Sequence, residues 1–209
     1  MIERAKVGRT GKLILVAGGT ASGKTTLVRR AAALLPAPVA VVPQDAYYRD
    51  RSHLTAAQRR TLNFDAPDAF DWDLLYAHLC ALRCGQPVER PEYSYRLHNR
   101  LKRTVHVEAA LIVLVEGLFP WHDVRLRRIA DLKVFVHLDA DLRLIRRLER
   151  DLCERGRGIA GVIDQYLRTV RPMHERYVEP CRKEADMVLD GSDTVRAARL
   201  LARAVQQLG

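Results

Sequence analysis

Nowhere in this chain of 209 residues does an apolar run approach the roughly 18 residues that a membrane-spanning helix needs. Cysteine is scarce. Cys80, Cys84, Cys153 and Cys181 are all there are, and no CxxC or HxxxH pair accompanies them to complete a metal site. Reduced structural thiols are therefore expected, with Cys80 and Cys84 on one helical face. Internal repeats and low-complexity linkers are missing, so one α/β domain over 1–209 is expected, with a core of ordinary size. The opening "MIERAKVGRTGK" lacks the apolar centre of a signal peptide, so a cytoplasmic protein is expected rather than an exported one. No helix-turn-helix, zinc or RNA-binding aromatic motif is found.

Basic charge is what the chain has in excess. Its formal net charge is +10, and 29 of the 35 basic residues are arginine. Such a surplus suits either nucleic acid or small polyanions such as nucleotides. Six arginines fall between Arg143 and Arg157, interleaved with Asp139, Asp141, Glu149, Asp151 and Glu154. That mixture argues for a local anion site rather than a nucleic-acid stripe.

Short branched apolar runs at 12–17, 39–42, 110–115, 132–138 and 185–190 read as buried parallel strands. Helical spacing separates them: Leu27, Ala31, Leu34 and Leu35, a segment over 68–84 starting near Asp68 or Asp71, and Leu142, Ile145, Leu148 and Leu152. Further helices are expected over 159–179 and from Asp193 to Leu208. Residues 86–107 alternate aromatic and polar side chains and read as an inserted β-rich flap.

"VAGGTASGKTT" carries the chemistry. Gly18, Gly23, Lys24 and Thr25 stand at the spacing of a phosphate-binding loop between a strand and a helix. Gly18, Gly19, Thr20, Ala21, Ser22, Gly23, Lys24, Thr25 and Thr26 are the expected ATP-binding residues. Backbone N–H groups and the helix dipole meet the phosphates, Lys24 reaches the β- and γ-phosphates, and the Thr25 hydroxyl is a Mg²⁺ ligand. The Asn-Lys-x-Asp reader and Asp-x-x-Gly of a guanine-nucleotide switch are absent. Glu116 closes the third strand and Asp45 follows the second, where ligands gather in a parallel sheet. Both are candidate metal ligands, and Asp45 is the candidate base for an attacking hydroxyl.

"GGTASGKTT", "QDAYYRD", "NFDAPDAFD", "PEYSYRLHNR", "EGLF", "RRLERDLCERGRG", "VIDQYLRTVRPMHERYVEP" and "EADMVLDG" follow one another in the order and spacing of the uridine–cytidine kinase family, from about residue 13 to 191. The chain resembles that family. The resemblance implies a P-loop NTPase-type five-stranded parallel sheet with helices on both faces, a flap at 86–107 and an Arg-rich lid at 150–162. It implies transfer of phosphate from Mg·ATP to the 5′-hydroxyl of uridine or cytidine in pyrimidine salvage. Asp45 and Lys24 are then catalytic with Arg150, Arg155 and Arg157. Tyr48 and Phe70 wall the nucleoside, Asp71 accepts the ribose hydroxyls, Tyr93 and His98 meet the base, Arg147 lies near the nucleoside and Gln165 touches base or sugar. The resemblance also implies a homotetramer; GTP is the open alternative donor, and CTP and UTP are candidate feedback inhibitors. Four positions depart from the family: Thr20 for serine, Ala46 for serine, Ala66 for histidine, and Ser94 for an aspartate that anchors the flap. Phosphoribulokinase and pantothenate kinase share the loop and the aspartate, but "PEYSYRLH" and "ERGRG" favour a nucleoside acceptor. No nucleic-acid or membrane partner is expected.

Overall fold

The computed structural model describes residues 11–208; the first ten residues of the polar opening segment lie outside them. Strands β1 (Lys12–Gly18), β2 (Val39–Pro43), β5 (Ile112–Gly117), β6 (Leu132–His137) and β7 (Met187–Asp190) form one sheet in the order β2-β5-β1-β6-β7, with every pairing parallel. β3 (Val88–Ser94) and β4 (Asn99–Val107) make a separate antiparallel hairpin, the flap. Parallel strands need crossovers, and helices supply them on both faces.

Side-chain alternation along β1 sorts the core. Leu13, Leu15 and Ala17 face a layer with Leu75, Leu79 and Leu82 of α3 (Trp72–Arg83), reinforced by Phe70, Phe119 and Trp121. Ile14 and Val16 face the opposite layer, where Leu27, Val28 and Ala31 of α1 (Lys24–Leu34) meet Ala197, Ala198, Leu201 and Val205 of α8 (Thr194–Gln207). A period of two on the strand thus becomes two apolar layers on one sheet. The helix starts follow local chemistry. Asp71 caps α3 by accepting from the Leu74 N–H at 3.2 Å, and Asp193 caps α8 by accepting from Val195 and Arg196 at 3.1 and 2.9 Å. Thr55 and Gln58 form a capping box on α2 (Ala56–Arg60).

The short α4 (Val124–Ile129) precedes β6, and α5 (Ala140–Cys153) follows it. The apolar spacing at Leu142, Ile145, Leu148 and Leu152 does mark a helix, but not its inner face. Leu142, Ile145 and Leu152 stay 40, 52 and 36% exposed, while Arg143, Arg147 and Asp151 are buried. The polar side of α5 faces the phosphate loop, and that is why the face is inverted. The helix expected over 159–179 runs on to Glu184: α6 (Ile159–Gln165), a π-turn at Tyr166–Val170, α7 (Arg171–Met173), a second π-turn at His174–Val178 and a 3₁₀ turn at Glu179–Glu184. Pro172 and Pro180 lie inside this run, each two residues after a π-turn, and a proline there interrupts the regular i→i−4 ladder.

His174 lies in this irregular stretch, on a cavity of about 360 Å³ behind Gly19. Burial, with Arg143, Lys24 and His137 adding to it, pushes its imidazole down to about 3. The neutral ring leaves Nδ1 without a partner and brings Nε2 to 3.4 Å from Glu179, a polar approach without ionic character. The unfolded chain takes up a proton near 6.5 and the folded one does not, so acid erodes stability. Between pH 7 and pH 5 this one group removes about 2 kcal/mol. Denaturation of His174→Phe should show that much less loss over the same interval; an equal loss in both proteins would contradict the burial account.

Candidate active site

The register of the sheet assembles the site. Glu116 pairs with Val16 on one side and Pro43 on the other, so the ends of β1, β2 and β5 coincide. Beyond those ends lie the phosphate loop and a 3₁₀ turn, Gln44–Tyr47, that carries Asp45. Gly117 explains why "EG" and "QD" occur together. A Cβ at 117 would sit 2.0 Å from Gln44 Oε1 and 2.4 Å from Gln44 Cβ. Gln44 is fully buried there and its Oε1 accepts from the Phe119 N–H at 3.3 Å. The bare backbone at 117 therefore lets Gln44 seat the turn that holds Asp45.

In the loop, Gly23 has φ +91° and opens α1 with no side-chain cap, which leaves the first N–H groups directed at the loop. Lys24 is buried, and its Nζ donates to the Gly19 carbonyl at 2.8 Å. Burial draws its ammonium down to about 8, against the carboxylates of Glu116 and Asp45 that support the charge. Burial also raises Glu116, against Lys24 and the Thr25 hydroxyl that hold it down. Thr25 Oγ1 donates to Glu116 Oε1 at 2.9 Å. The Thr25 hydroxyl and the half-buried Glu116 carboxylate are two hard oxygen donors of the kind Mg²⁺ takes. Among the described residues no group of three His, Cys, Asp or Glu side chains forms a ready metal cage. Thr25 and Glu116 are two donors and short of a full shell; Mg²⁺ usually takes most of its ligands from phosphates and water.

A cavity of about 740 Å³ runs from this loop to the flap. Its far end is aromatic. Tyr48 stacks on Phe70 at 4.4 Å and meets Phe64 and Tyr93 at 5.4 and 4.8 Å; Phe64 stacks on His98 at 5.5 Å. Burial and the guanidiniums of Arg157, Arg60, Arg59 and Arg155 keep His98 below the usual histidine range, so it is neutral at pH 7. Ser94, in place of the family's aspartate, still organises the flap tip, because its Oγ accepts from the Leu97 N–H at 3.3 Å.

The third wall is made of arginines. Asp151, with no exposed surface, gathers Arg150 at 2.8 Å, Arg157 at 3.4 Å, Arg155 at 3.5 Å and Arg147 at 3.7 Å. Burial opposes its charge, but Arg147, Arg150 and Arg155 outweigh burial and hold it below the usual carboxylate range. Gln165 Oε1 accepts from Arg147 and Arg157, both at 2.8 Å, and Arg147 also donates to Thr20 Oγ1 at 3.0 Å. Four of the six arginines at 143–157 thus gather on one carboxylate, while Arg143 and Arg146 donate to the Leu138 and Gly191 carbonyls.

Most of the residues singled out from sequence line this cavity: Thr20 to Thr26, Asp45, Tyr48, Tyr93, His98, Glu116, Arg147, Arg150, Arg155, Arg157 and Gln165. Gly18 and Gly19 form the loop's entry. Phe70 and Asp71 are placed elsewhere. Phe70 is fully buried beneath Tyr48, and Asp71 caps α3 and pairs with Arg100 at 3.2 Å. Phe64 and Asp65 join the cavity without a sequence role of their own, and Asp151, read from sequence only as one of the acids among the arginines, is the hub of the arginine wall. Phe64 and Asp65 stand in "NFDAPDAFD", but only the fold shows that this stretch returns to the cavity. Asp65, raised by burial, accepts from Thr169 Oγ1 at 2.9 Å.

Solved structures share this architecture. Phosphoribulokinase from Rhodobacter spheroides matches with a TM-score of 0.63 at 18% identity, over 90% of this chain and 75% of its own. Shikimate kinase from Bacteroides thetaiotaomicron matches with a TM-score of 0.52 at 17% identity, over 93% and 98%. Fold and site define a P-loop kinase. Residues 13–198 match the Phosphoribulokinase / Uridine kinase family, and the chain belongs to that family. Its relatives include uridine kinases from Staphylococcus epidermidis (44% identical, 94% of this chain, 96% of the relative), Chloroflexus aurantiacus (48%, 86% and 86%) and Bacillus subtilis (41%, 97% and 97%).

The Gln44–Gly117 interlock is open to direct test. Gly117→Ala should cost about 1–3 kcal/mol by overpacking. That corresponds to a melting temperature lower by several degrees. Unchanged melting would contradict the interlock.

Proposed function

We propose that this chain is a uridine/cytidine kinase that moves the γ-phosphoryl of ATP to the 5′-hydroxyl of a pyrimidine ribonucleoside, in pyrimidine salvage in the cytoplasm. One observation carries the proposal: a single cavity joins a phosphate-binding loop to an aromatic box, with the Asp45 carboxylate facing it between them. The triphosphate lies on residues 18–26 and the base lies among Tyr48, Tyr93 and His98. Asp45 takes the proton of the 5′-hydroxyl as that oxygen bonds to the γ-phosphorus and the bond to ADP breaks. Thr25 and Glu116, with Asp45 as a third donor, would hold Mg²⁺, which would supply charge neutralisation for the phosphates. Lys24 exchanges its bond to the Gly19 carbonyl for phosphate oxygens.

Arg150, Arg155 and Arg157 exchange part of Asp151 for the transferring phosphoryl, where negative charge spreads over the equatorial oxygens. Gly156, at φ +62° in open space, gives the lid segment its pivot. Closure excludes water and favours the nucleoside over hydrolysis. Arg147 and Gln165 bridge the loop and the nucleoside end, and Phe70 backs Tyr48. Asp71 accepts the ribose hydroxyls once its pairing to Arg100 opens. Leu142, Ile145 and Leu152 on α5, with Ile159, Ile163 and Leu167 beyond it, offer exposed apolar surface for the subunit contacts of a homotetramer.

ADP release, coupled to a dehydrogenase signal, tests the acceptor. Uridine and cytidine should support turnover, and 2′-deoxyuridine should lose about tenfold or more in kcat/KM because it leaves a polar partner unpaired. Ribulose 5-phosphate and pantothenate should give background rates. Faster release with either of those two than with uridine would reject the nucleoside reading. Replacing ATP by GTP in the same assay identifies the donor, and added CTP or UTP reveals any feedback inhibition.

A further inference from the structure

The acceptor-side carboxylate already has an alcohol bound to it. Tyr95, in the flap tip between β3 and β4, donates its hydroxyl to Asp45 Oδ2 at 2.7 Å. The same ring carries the Arg155 guanidinium 4.1 Å above its centroid, and Arg155 also reaches Asp151 at 3.5 Å. Tyr95 therefore links the base, the flap and the lid through one side chain. It is 40% exposed, so its anchor is this hydrogen bond and an edge contact with Tyr93 at 5.4 Å rather than deep burial. The flap tip is tied back by Arg59, whose Nε donates to the Leu97 carbonyl at 3.1 Å.

We propose that Tyr95 is a positioning residue that caps Asp45 until a nucleoside hydroxyl replaces it, and that its departure releases Arg155 toward the phosphates. This rests on Asp45 being the base of the proposed reaction. A neutral hydroxyl bound to a carboxylate is a strong charge-assisted bond, and the incoming 5′-hydroxyl makes one of the same kind. The exchange at Asp45 is thus close to even, and stacking of the base among Tyr48, Tyr93 and His98 drives it. Water offers the hydroxyl without the ring and displaces Tyr95 poorly. The cap thereby guards against hydrolysis, in which water oxygen bonds to the γ-phosphorus, ADP leaves with the bridging electron pair, and Asp45 takes the proton from water. Lid and base are armed together, because one ring restrains both.

Tyr95→Phe keeps the ring, and with it the Arg155 contact, but removes the hydroxyl. The readout is the ratio of inorganic phosphate released from ATP without nucleoside to uridine phosphorylated with it. The proposal expects that ratio to rise about tenfold, the scale of one hydrogen bond to a charged acceptor, and KM for uridine to fall with it. A ratio at or below the wild-type value overturns the cap. Asp45→Asn separates this failure from failure of the base. If Asp45→Asn still phosphorylates uridine, the base assignment fails and the cap with it. If Asp45→Asn is inactive and Tyr95→Phe shows the wild-type ratio, only the cap fails. Combining the two substitutions should abolish the added hydrolysis; hydrolysis that persists in the double variant also overturns the cap.

Discussion

One buried carboxylate organises the charged half of this molecule. Asp151 has no exposed surface, and four guanidiniums converge on its two oxygens. A buried charge is tolerated only when it is paired and hydrogen-bonded, which requires the arginines to turn inward. Four cations on one anion leave a local surplus, and that surplus faces the mouth of the phosphate loop. The same requirement inverts α5: its polar side is drawn to the loop, and Leu142, Ile145 and Leu152 are left outside.

The remaining geometry follows from where parallel strands end. Register aligns Val16, Pro43 and Glu116, and short loops beyond those positions bring Lys24, Thr25, Asp45 and Glu116 into one charged cluster. Their mutual effects show the closeness. Glu116 and Asp45 support the charge on Lys24, and Lys24 holds down Glu116, each against burial. Gln44 packing onto the bare backbone of Gly117 fixes the turn that presents Asp45. The flap then closes the far side with aromatic rings, so polyanion chemistry and ring stacking share one cavity.

Local pattern made much of this legible in advance. The phosphate loop, the strand–helix alternation, the capping aspartate at 193 and the β-rich flap are all set by neighbours within a few residues, and the same signals narrow the start of α3 to Asp68 or Asp71. The strand run at 110–115 slips by two, to Ile112–Gly117, because apolar character alone does not mark where pairing begins. What local pattern hides is which face a helix turns inward when a distant charge network outweighs apolar spacing, as in α5. It hides Asp151 for the same reason, since an aspartate among arginines reads as a solvated helix surface until the fold buries it. Asp71 adds a second layer: local pattern marks it as a helix cap, but only the fold shows that Arg100 also pairs with it. Phe64 and Asp65 reach the cavity only through the chain's path between β2 and α3.

The most direct measurement is a phosphorus NMR spectrum of the protein with Mg·ATP and uridine, followed to completion. The account predicts ADP and uridine 5′-monophosphate rising in equal amounts as ATP declines. ATP consumed into inorganic phosphate alone, or a phosphoryl group on a different uridine oxygen, would contradict it.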